Sequence, residues 1–165
     1  MTERKMADLH LTKADSLPDA ARIAGYAGLL PQLIALLMIL TDSEWRWVGL
    51  TAAYGYAAFI FSFLGGIWWG FGVTARKEGI DAGPILIAAV APSLIAFATY
   101  LPWILGLDWP GPSMLFLGVG LMMSPLVDRW LQSQCHVPDG WMRLRWQLAL
   151  GLGGLTFILG IVALS

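Results

Sequence analysis

The sequence predicts an all-α fold, a bundle of five transmembrane helices. The chain of 165 residues is 58% hydrophobic and only 13% charged, with a mean hydropathy of +0.68. Soluble domains carry about a quarter charged residues, so this composition indicates a protein whose solvent is mostly lipid. Five long apolar stretches, and a concentration of Lys and Arg residues in the N-terminal segment and alternate connections, point to the same class.

The apolar stretches lie at about residues 21–40, 47–74, 83–107, 113–131 and 144–164. Each is close to the roughly 17 to 25 residues that a helix needs to cross the hydrocarbon layer. Residues 1–20 are polar and predict a cytoplasmic N-terminal segment, and residues 21–165 predict the membrane domain. We identify no cleavable signal peptide in the first twenty residues, because they contain no apolar core.

The connections between the stretches support these elements in order. Span two is long enough to tilt or to project beyond the bilayer. Asp81 with Pro84 precedes span three, and the run from Pro110 to Ser113 precedes span four. Span four reaches full length only if Asp128 and the next residue are included, and Pro138 with its neighbour precedes span five.

The positive charges predict an orientation. Nine of the ten Lys and Arg residues fall in the N-terminal segment and in the connections that follow spans two and four. By the positive-inside rule, the N-terminus is cytoplasmic and the C-terminus lies outside. Seven of the nine tryptophans fall near span ends, as expected for interfacial aromatic belts: Trp45, Trp47, Trp103, Trp109, Trp130, Trp141 and Trp146.

Span two carries a stripe of small residues. Ala58, Ser62, Gly66 and Gly70 recur every four residues and therefore share one helical face. Such stripes let helix backbones approach closely in lipid, so we interpret this one as a helix-packing groove. The contact could lie inside the protein or on a partner.

The adjacent tryptophans Trp68 and Trp69 point in different directions on a helix. Trp69 flanks the stripe, and we predict that it fills a helix contact while Trp68 faces the lipid boundary. A competing interpretation has Trp69 stack on a flat ligand. Candidate residues to line a pocket for such a molecule between spans two and three are Trp69, Tyr54, Tyr56 and Tyr100.

A charged cluster is predicted at the cytoplasmic side of spans four and five: Asp128, Arg129, Arg143 and Arg145. Ionisable residues at membrane depth are functional candidates. We favour a structural role in which Asp128 pairs with Arg143 or Arg145 across a hairpin. An alternative is that the arginines, with nearby tryptophans, bind anionic lipid.

The sequence lacks the side chains that several functional classes require. His10 and His136 lie outside the spans, so no histidine pair could ligate a haem, and Cys135 has no spacing typical of zinc sites. The spans hold no lysine and no chain of acids for proton transfer. We therefore predict no catalytic residues, no metal, no cofactor and no nucleic-acid partner.

Several segments resemble an uncharacterised group of bacterial inner-membrane proteins, a domain of unknown function similar to a mitochondrial transmembrane protein 69. They are SFLGGIWWG at 62–70, APSLIAFATYL, PLVDRW and PDGWMRLRWQLAL. The resemblance implies a multi-pass inner-membrane protein without an established activity. It also implies that a polar residue often occupies the position of Trp68, so we predict no polar role for this tryptophan.

Two functional hypotheses follow, and both favour a non-enzymatic protein in the lipid bilayer. The first is an accessory or assembly factor that packs the span-two groove against another membrane protein or a second copy of itself. The alternative is a binder of a hydrophobic small molecule such as a porphyrin, quinone, sterol or lipid, which resembles the tryptophan-rich sensory proteins in class only. A lipid-modifying enzyme at the charged cluster is a third hypothesis.

Overall fold

The structure, a computed structural model, describes residues 18–41, 44–77, 79–133 and 140–165. Within these ranges every regular element is helical, which confirms the predicted all-α class. Five helical spans are long and apolar enough to cross a membrane. The helices are α1 (Asp19–Ala27), α2 (Leu30–Thr41), α3 (Arg46–Lys77), α4 (Gly83–Ile104), α5 (Gly111–Gln132) and α6 (Trp141–Leu164).

The first span is broken between α1 and α2. Pro31 has no amide hydrogen to donate and disfavours helical geometry in the residue before it, which explains a break at this place. The Tyr56 hydroxyl of α3 donates a hydrogen bond of 2.6 Å to the carbonyl of Gly28 at the break. A backbone acceptor that a continuous helix would satisfy internally is thereby satisfied by a neighbouring span.

The longest helix, α3, occupies the centre of the bundle. It contacts α2, α4, α5 and α6, most extensively α4. Its buried residues recur along one side and include Ala57, Phe61, Leu64 and Trp68. The core of the protein therefore lies around this side of α3.

Glycines set the closest helix contacts inside the bundle. A methyl group added to Gly65 would collide with the backbone carbonyl of Ala89 on α4. On the α5–α6 hairpin, a methyl group on Gly118 would lie 2.9 Å from the Gly153 carbonyl oxygen, and one on Gly153 would lie 2.8 Å from that of Gly118. These backbones pack as closely as only glycine permits, the arrangement expected where dispersion rather than the hydrophobic effect holds helices together.

The two ends of the bundle differ in chemistry. We call the end that contains the start of α1, the end of α3 and the start of α6 the arginine end, because Arg145 lies there. The opposite end, where α3 begins and α4 ends, is the aromatic end. There Trp47, Tyr54, Tyr100, Trp103 and Trp109 form a chain of ring contacts with centroids 4.9 to 6.4 Å apart.

Candidate functional site

A buried carboxylate joins three helices at the arginine end. Asp128, on α5, has no exposed surface. Its Oδ1 accepts a 2.7 Å hydrogen bond from the indole N–H of Trp68 on α3. Its Oδ2 accepts one of 2.7 Å from Nε of Arg145 on α6, and Nη2 of Arg145 lies 2.7 Å from the same oxygen. Both oxygens are thus engaged, and the arginine balances the charge.

Aromatic rings cover the arginine that balances this charge. The guanidinium of Arg145 lies 5.9 Å from the centroid of the Trp141 ring, within reach of a cation–π interaction. Trp141 in turn meets Phe71 of α3 edge-on at 5.8 Å. Because low dielectric strengthens every electrostatic contact, these rings favour the closed ion pair over separated charges.

The geometry of the Asp128 site is that of a structural ion pair. Asp128 lies four residues before the end of α5, so it is about 6 Å inside the helix end. A carboxylate at this depth requires a counter-ion and donors, and it has both. Of the two arginines that the sequence offered as partners, Arg145 makes the pair, whereas Arg143 and Arg129 are exposed.

The two adjacent tryptophans have the opposite environments from those predicted. Trp68 is buried, with 4% of its surface exposed, and donates to Asp128, whereas Trp69 is 50% exposed on the outside of α3. The prediction of a lipid-facing Trp68 without a polar role was therefore wrong. Its indole N–H supplies what the buried carboxylate needs, and the sequence of α3 alone contains no sign of that acceptor.

The part of the small-residue stripe formed by Gly66 and Gly70 faces away from the rest of the protein. A methyl group added at Gly66 or Gly70 would meet nothing within 4 Å. Close packing inside the bundle uses Gly65 and Gly72 instead, which lie on the inward side of the same helix. Of the stripe of Ala58, Ser62, Gly66 and Gly70, the two glycines are therefore available on the outer surface of α3. Ala58 and Ser62 are half-buried and border a cavity, and Ala58 packs against the core.

Two lateral cavities flank α3 on opposite sides. The first, which we call the arginine cavity, has a volume of about 380 Å³ and lies between the first span, α3 and α6. Its wall is apolar except for three polar side chains, Tyr56, Ser124 and Arg145. Along α6 it extends from Trp141 to Leu152, about 16 Å at the helical rise.

The second cavity, the aromatic cavity, has a volume of about 440 Å³ and lies between α3 and α4. Tyr54, Tyr100 and Trp109 line it together with small and polar residues. Of the four candidate pocket residues, the structure brings together Tyr54 and Tyr100 here. Tyr56 lines the arginine cavity, because a step of two residues turns a helix by about 200°.

Trp69 lines neither of these two cavities. It is fifteen residues beyond Tyr54 on α3, or about 22 Å along the helix axis. Its half-exposed ring lies on the outer surface of that helix. It therefore cannot share the aromatic cavity with the two tyrosines.

Trp109 is a functional candidate that the sequence did not reveal. Its buried indole N–H makes no hydrogen bond of good geometry within the part of the chain that is described, although the Tyr54 hydroxyl lies close enough to interact with it. The ring meets Tyr54 edge-on at 4.9 Å, and the Tyr54 hydroxyl also interacts with the hydroxyl of Thr99 at 3.1 Å. Trp109 lines the aromatic cavity with other atoms of its ring, whereas the N–H itself is buried.

A further buried polar contact joins the first span to the last. Gln32 of α2, fully buried, donates a 2.6 Å hydrogen bond to the hydroxyl of Thr156 on α6. The described ranges contain no cluster of three or more acidic, His or Cys side chains that could hold a metal ion. His10, Cys135 and His136 lie outside those ranges.

One sequence signal could have identified Trp68 in advance. An ionisable residue inside a span requires hydrogen-bond donors from neighbouring helices. Trp68 lies about 14 Å before the end of the long helix α3, at a depth where few side chains carry an N–H group. Asp128 was a predicted site residue. The question of which side chain on a neighbouring span could donate to its carboxylate would have pointed to the Trp68 indole.

Comparison with known proteins identifies the family. The chain is 34% identical over 104 residues to transmembrane protein 69 of Xenopus tropicalis, an alignment that covers 61% of this chain. It covers 41% of that relative, so the chain spans about two fifths of the relative's length. No solved structure matches. Residues 17–162 match the family described as protein of unknown function (DUF3429), and the chain therefore belongs to that family.

Proposed function

We propose that this protein is a non-enzymatic accessory or assembly factor of the bacterial inner membrane, which docks the outer stripe of α3 on a transmembrane helix of another membrane protein. The open space around Gly66 and Gly70 carries this proposal. Glycine costs helix stability relative to alanine and offers lipid no side chain to pack against. A partner helix could approach the backbone closely at these positions, and the close packing would offset the cost of glycine.

The flanks of the stripe fit a helix as occupant. Phe59, Phe63 and Trp69 are all at least half exposed and stand beside it. From Ala58 to Gly70 the stripe is about 18 Å long, more than half the thickness of the hydrocarbon layer. A helix laid in this groove would contact small residues along its axis and aromatic rings at its edges.

Replacement of Gly66 by leucine tests this proposal. Gly66→Leu fills the groove, and we expect loss of the complex recovered by native mass spectrometry after gentle extraction from membranes. Gly154→Leu is the matched control, since Gly154 on α6 also has nothing within 4 Å. A complex that survives Gly66→Leu contradicts the docking proposal. A complex that contains only copies of this chain would show that the stripe mediates self-association rather than binding to another protein.

A second candidate function is the binding of a hydrophobic small molecule in the aromatic cavity. Trp109 lines the cavity and its N–H makes no hydrogen bond of good geometry, so a turn of the ring would direct this donor to a ligand acceptor, for example a quinone carbonyl. The cavity volume of about 440 Å³ falls in the usual range for small-molecule sites. Tyr54 and Tyr100 supply aromatic walls for a flat ring.

Tryptophan fluorescence distinguishes this second candidate. Titration with a short-chain quinone should quench the fluorescence saturably, and Trp109→Phe should weaken the binding by roughly tenfold, the effect of one lost hydrogen bond to a buried site. Trp45→Phe, an exposed residue outside the cavity, is the control. A linear, non-saturable response rules out the site.

The proposed orientation places the arginine end in the cytoplasm and the C-terminus outside. Arg76, Lys77, Arg129, Arg143 and Arg145 all lie at that end of the described bundle, which supports it. A reporter that is active only outside the cytoplasm, fused after Ser165, should be active. An inactive reporter at Ser165 together with an active one fused after Lys77 would reverse the orientation.

A further inference from the structure

We infer that the arginine cavity is a binding site for an anionic phospholipid of the surrounding bilayer, with one acyl chain in the cavity and the phosphate at Arg145. This inference does not rest on the docking stripe or on the aromatic cavity, although Phe63 beside the stripe also lines the arginine cavity. The cavity is not fully enclosed, and it lies between helices that are long and apolar enough to cross a membrane, so a bilayer lipid is the apolar molecule nearest to it.

The shape and lining of the cavity fit an acyl chain. A narrow apolar space of about 380 Å³ that follows α6 for about 16 Å suits a single extended chain better than a compact ring system. The wall contributed by the first span includes the small residues Ala21 and Ala24 and the side chain of Leu29. Leu148 and Leu152 of α6 also line the cavity, and Leu148 packs against Gly25 of the first span.

The guanidinium at the end of the cavity is the donor for the headgroup. Arg145 lines the cavity and engages Asp128 through Nε and Nη2, so Nη1 is the part of the guanidinium that is not engaged with Asp128. Nη2, although ion-paired, is itself buried without hydrogen-bond geometry to any acceptor in the described part of the chain. A phosphate oxygen is the acceptor that a planar guanidinium binds best.

The position of Arg145 in the fold adds to this selectivity. Arg145 lies one turn after the start of α6, where the helix dipole favours an anion. Basic pockets between transmembrane helices are a recurrent way to hold anionic headgroups at a membrane surface. A neutral zwitterionic headgroup would bring its own cation to the same place and gain less.

Native mass spectrometry of the full chain tests the inference. The purified protein in detergent should bind one phosphatidylglycerol saturably and prefer it over phosphatidylcholine of the same acyl chains by roughly tenfold, the factor expected for one charge-assisted hydrogen bond. Equal retention of both lipids overturns the charge selection. Stoichiometric displacement by myristate overturns the assignment to a bilayer phospholipid and identifies a free fatty acid as the occupant.

Two variants separate the cavity from the ion pair. Ala24→Phe fills the cavity without contact to Asp128 and should abolish the saturable adduct, whereas Ala98→Phe, on the exposed side of α4, should leave it unchanged. The double variant Asp128→Asn with Arg145→Gln keeps neutral hydrogen-bonding partners and should remove the preference for phosphatidylglycerol. If Ala24→Phe retains the adduct, the inference fails whether or not the double variant folds.

Discussion

The inward and outward faces of α3 contain the same residue types in opposite environments. Gly65 and Trp68 face the bundle, where one meets the Ala89 backbone and the other donates to Asp128. Gly66 and Trp69, one position further in each case, face outward, where the glycine has open space and the tryptophan is half exposed. A step of one residue, about 100° around the helix, separates a structural role from a free surface.

The difference between the faces teaches how a polar anchor orients a mostly apolar helix. Both faces of α3 are apolar enough for lipid and both offer small residues, so hydrophobicity alone does not select which one turns inward. The buried carboxylate of Asp128 needs a donor from α3, and only the Trp68 face provides one in the structure. This polar contact, together with the close approach of Gly65 to Ala89, fixes the rotation of a 32-residue helix.

Removal of the counter-ion of Asp128 should lower the free energy of unfolding more than any other substitution considered for the inward face. Arg145→Ala leaves the Asp128 carboxylate buried without its partner, and we expect the free energy of unfolding to fall by about 3 to 5 kcal/mol. Unfolding by titration with a denaturing detergent measures the change. Arg143→Ala, exposed and two residues away, should change it by less than about 0.5 kcal/mol. Equal effects of the two substitutions would show that the ion pair does not anchor the bundle.

A methyl group at position 65 should produce the next largest effect. Gly65→Ala forces α3 away from the Ala89 carbonyl, and overpacking of this kind typically costs about 1 to 3 kcal/mol. Gly66→Ala meets nothing and should be neutral or stabilise by up to about 1 kcal/mol, since alanine favours a helix over glycine. The same detergent titration compares the pair. A cost at Gly66 that matches the cost at Gly65 would mean that α3 is rotated relative to this structure.

Loss of the indole N–H sharpens the comparison of the two tryptophans. Trp68→Phe removes one hydrogen bond to a buried carboxylate and should cost about 1 to 3 kcal/mol, whereas Trp69→Phe should cost less than about 0.5 kcal/mol. A double-mutant cycle of Trp68→Phe with Asp128→Asn isolates the contact. A coupling energy near zero would show that burial of the ring, not the hydrogen bond, accounts for the cost.

The smallest effect is expected at the break in the first span. Tyr56→Phe removes the hydrogen bond to the Gly28 carbonyl, and interhelical hydrogen bonds in membranes average about 0.6 kcal/mol. Hydrogen exchange should quicken at the amides of residues 28–30 and 32. Tyr26→Phe, which loses an exposed hydrogen bond to Gln147, should leave those amides unchanged. Unaltered exchange in Tyr56→Phe would assign the stability of the break to packing alone.

The helices could be predicted from the sequence because lipid requires every backbone polar group to be satisfied within its own segment. The charged cluster and the pairing of Asp128 with an arginine of the next span were also accessible, since a carboxylate in a span demands a cation. The sequence did not predict which face of α3 turns toward the bundle. Both Gly65 and Gly66 fit a small-residue pattern, and only the approach of Ala89 from another span decides between them.

The aromatic cavity shows the same limit. Tyr54 and Tyr100 lie on different helices and meet at 6.4 Å only because α3 and α4 pack along their inward faces. The sequence predicts that Trp109 is one of several interfacial tryptophans. That its N–H makes no hydrogen bond of good geometry depends on the positions of its neighbours, which only the structure gives. Contacts between distant segments depend on packing that a local pattern does not encode.

The break at Gly28 has a consequence for kinetics. The nine residues of α1 contain none that is buried, and an exposed hydrogen bond from Tyr26 to Gln147 helps to hold them on α6. We therefore expect α1 to move at its joint to α2 more easily than the three-helix contact at Asp128 opens. A molecule in the arginine cavity can then leave through a movement of one half-span, without the slow separation of packed helices. We therefore expect its residence time to be far shorter than the lifetime of the folded bundle, and to shorten further in Tyr56→Phe.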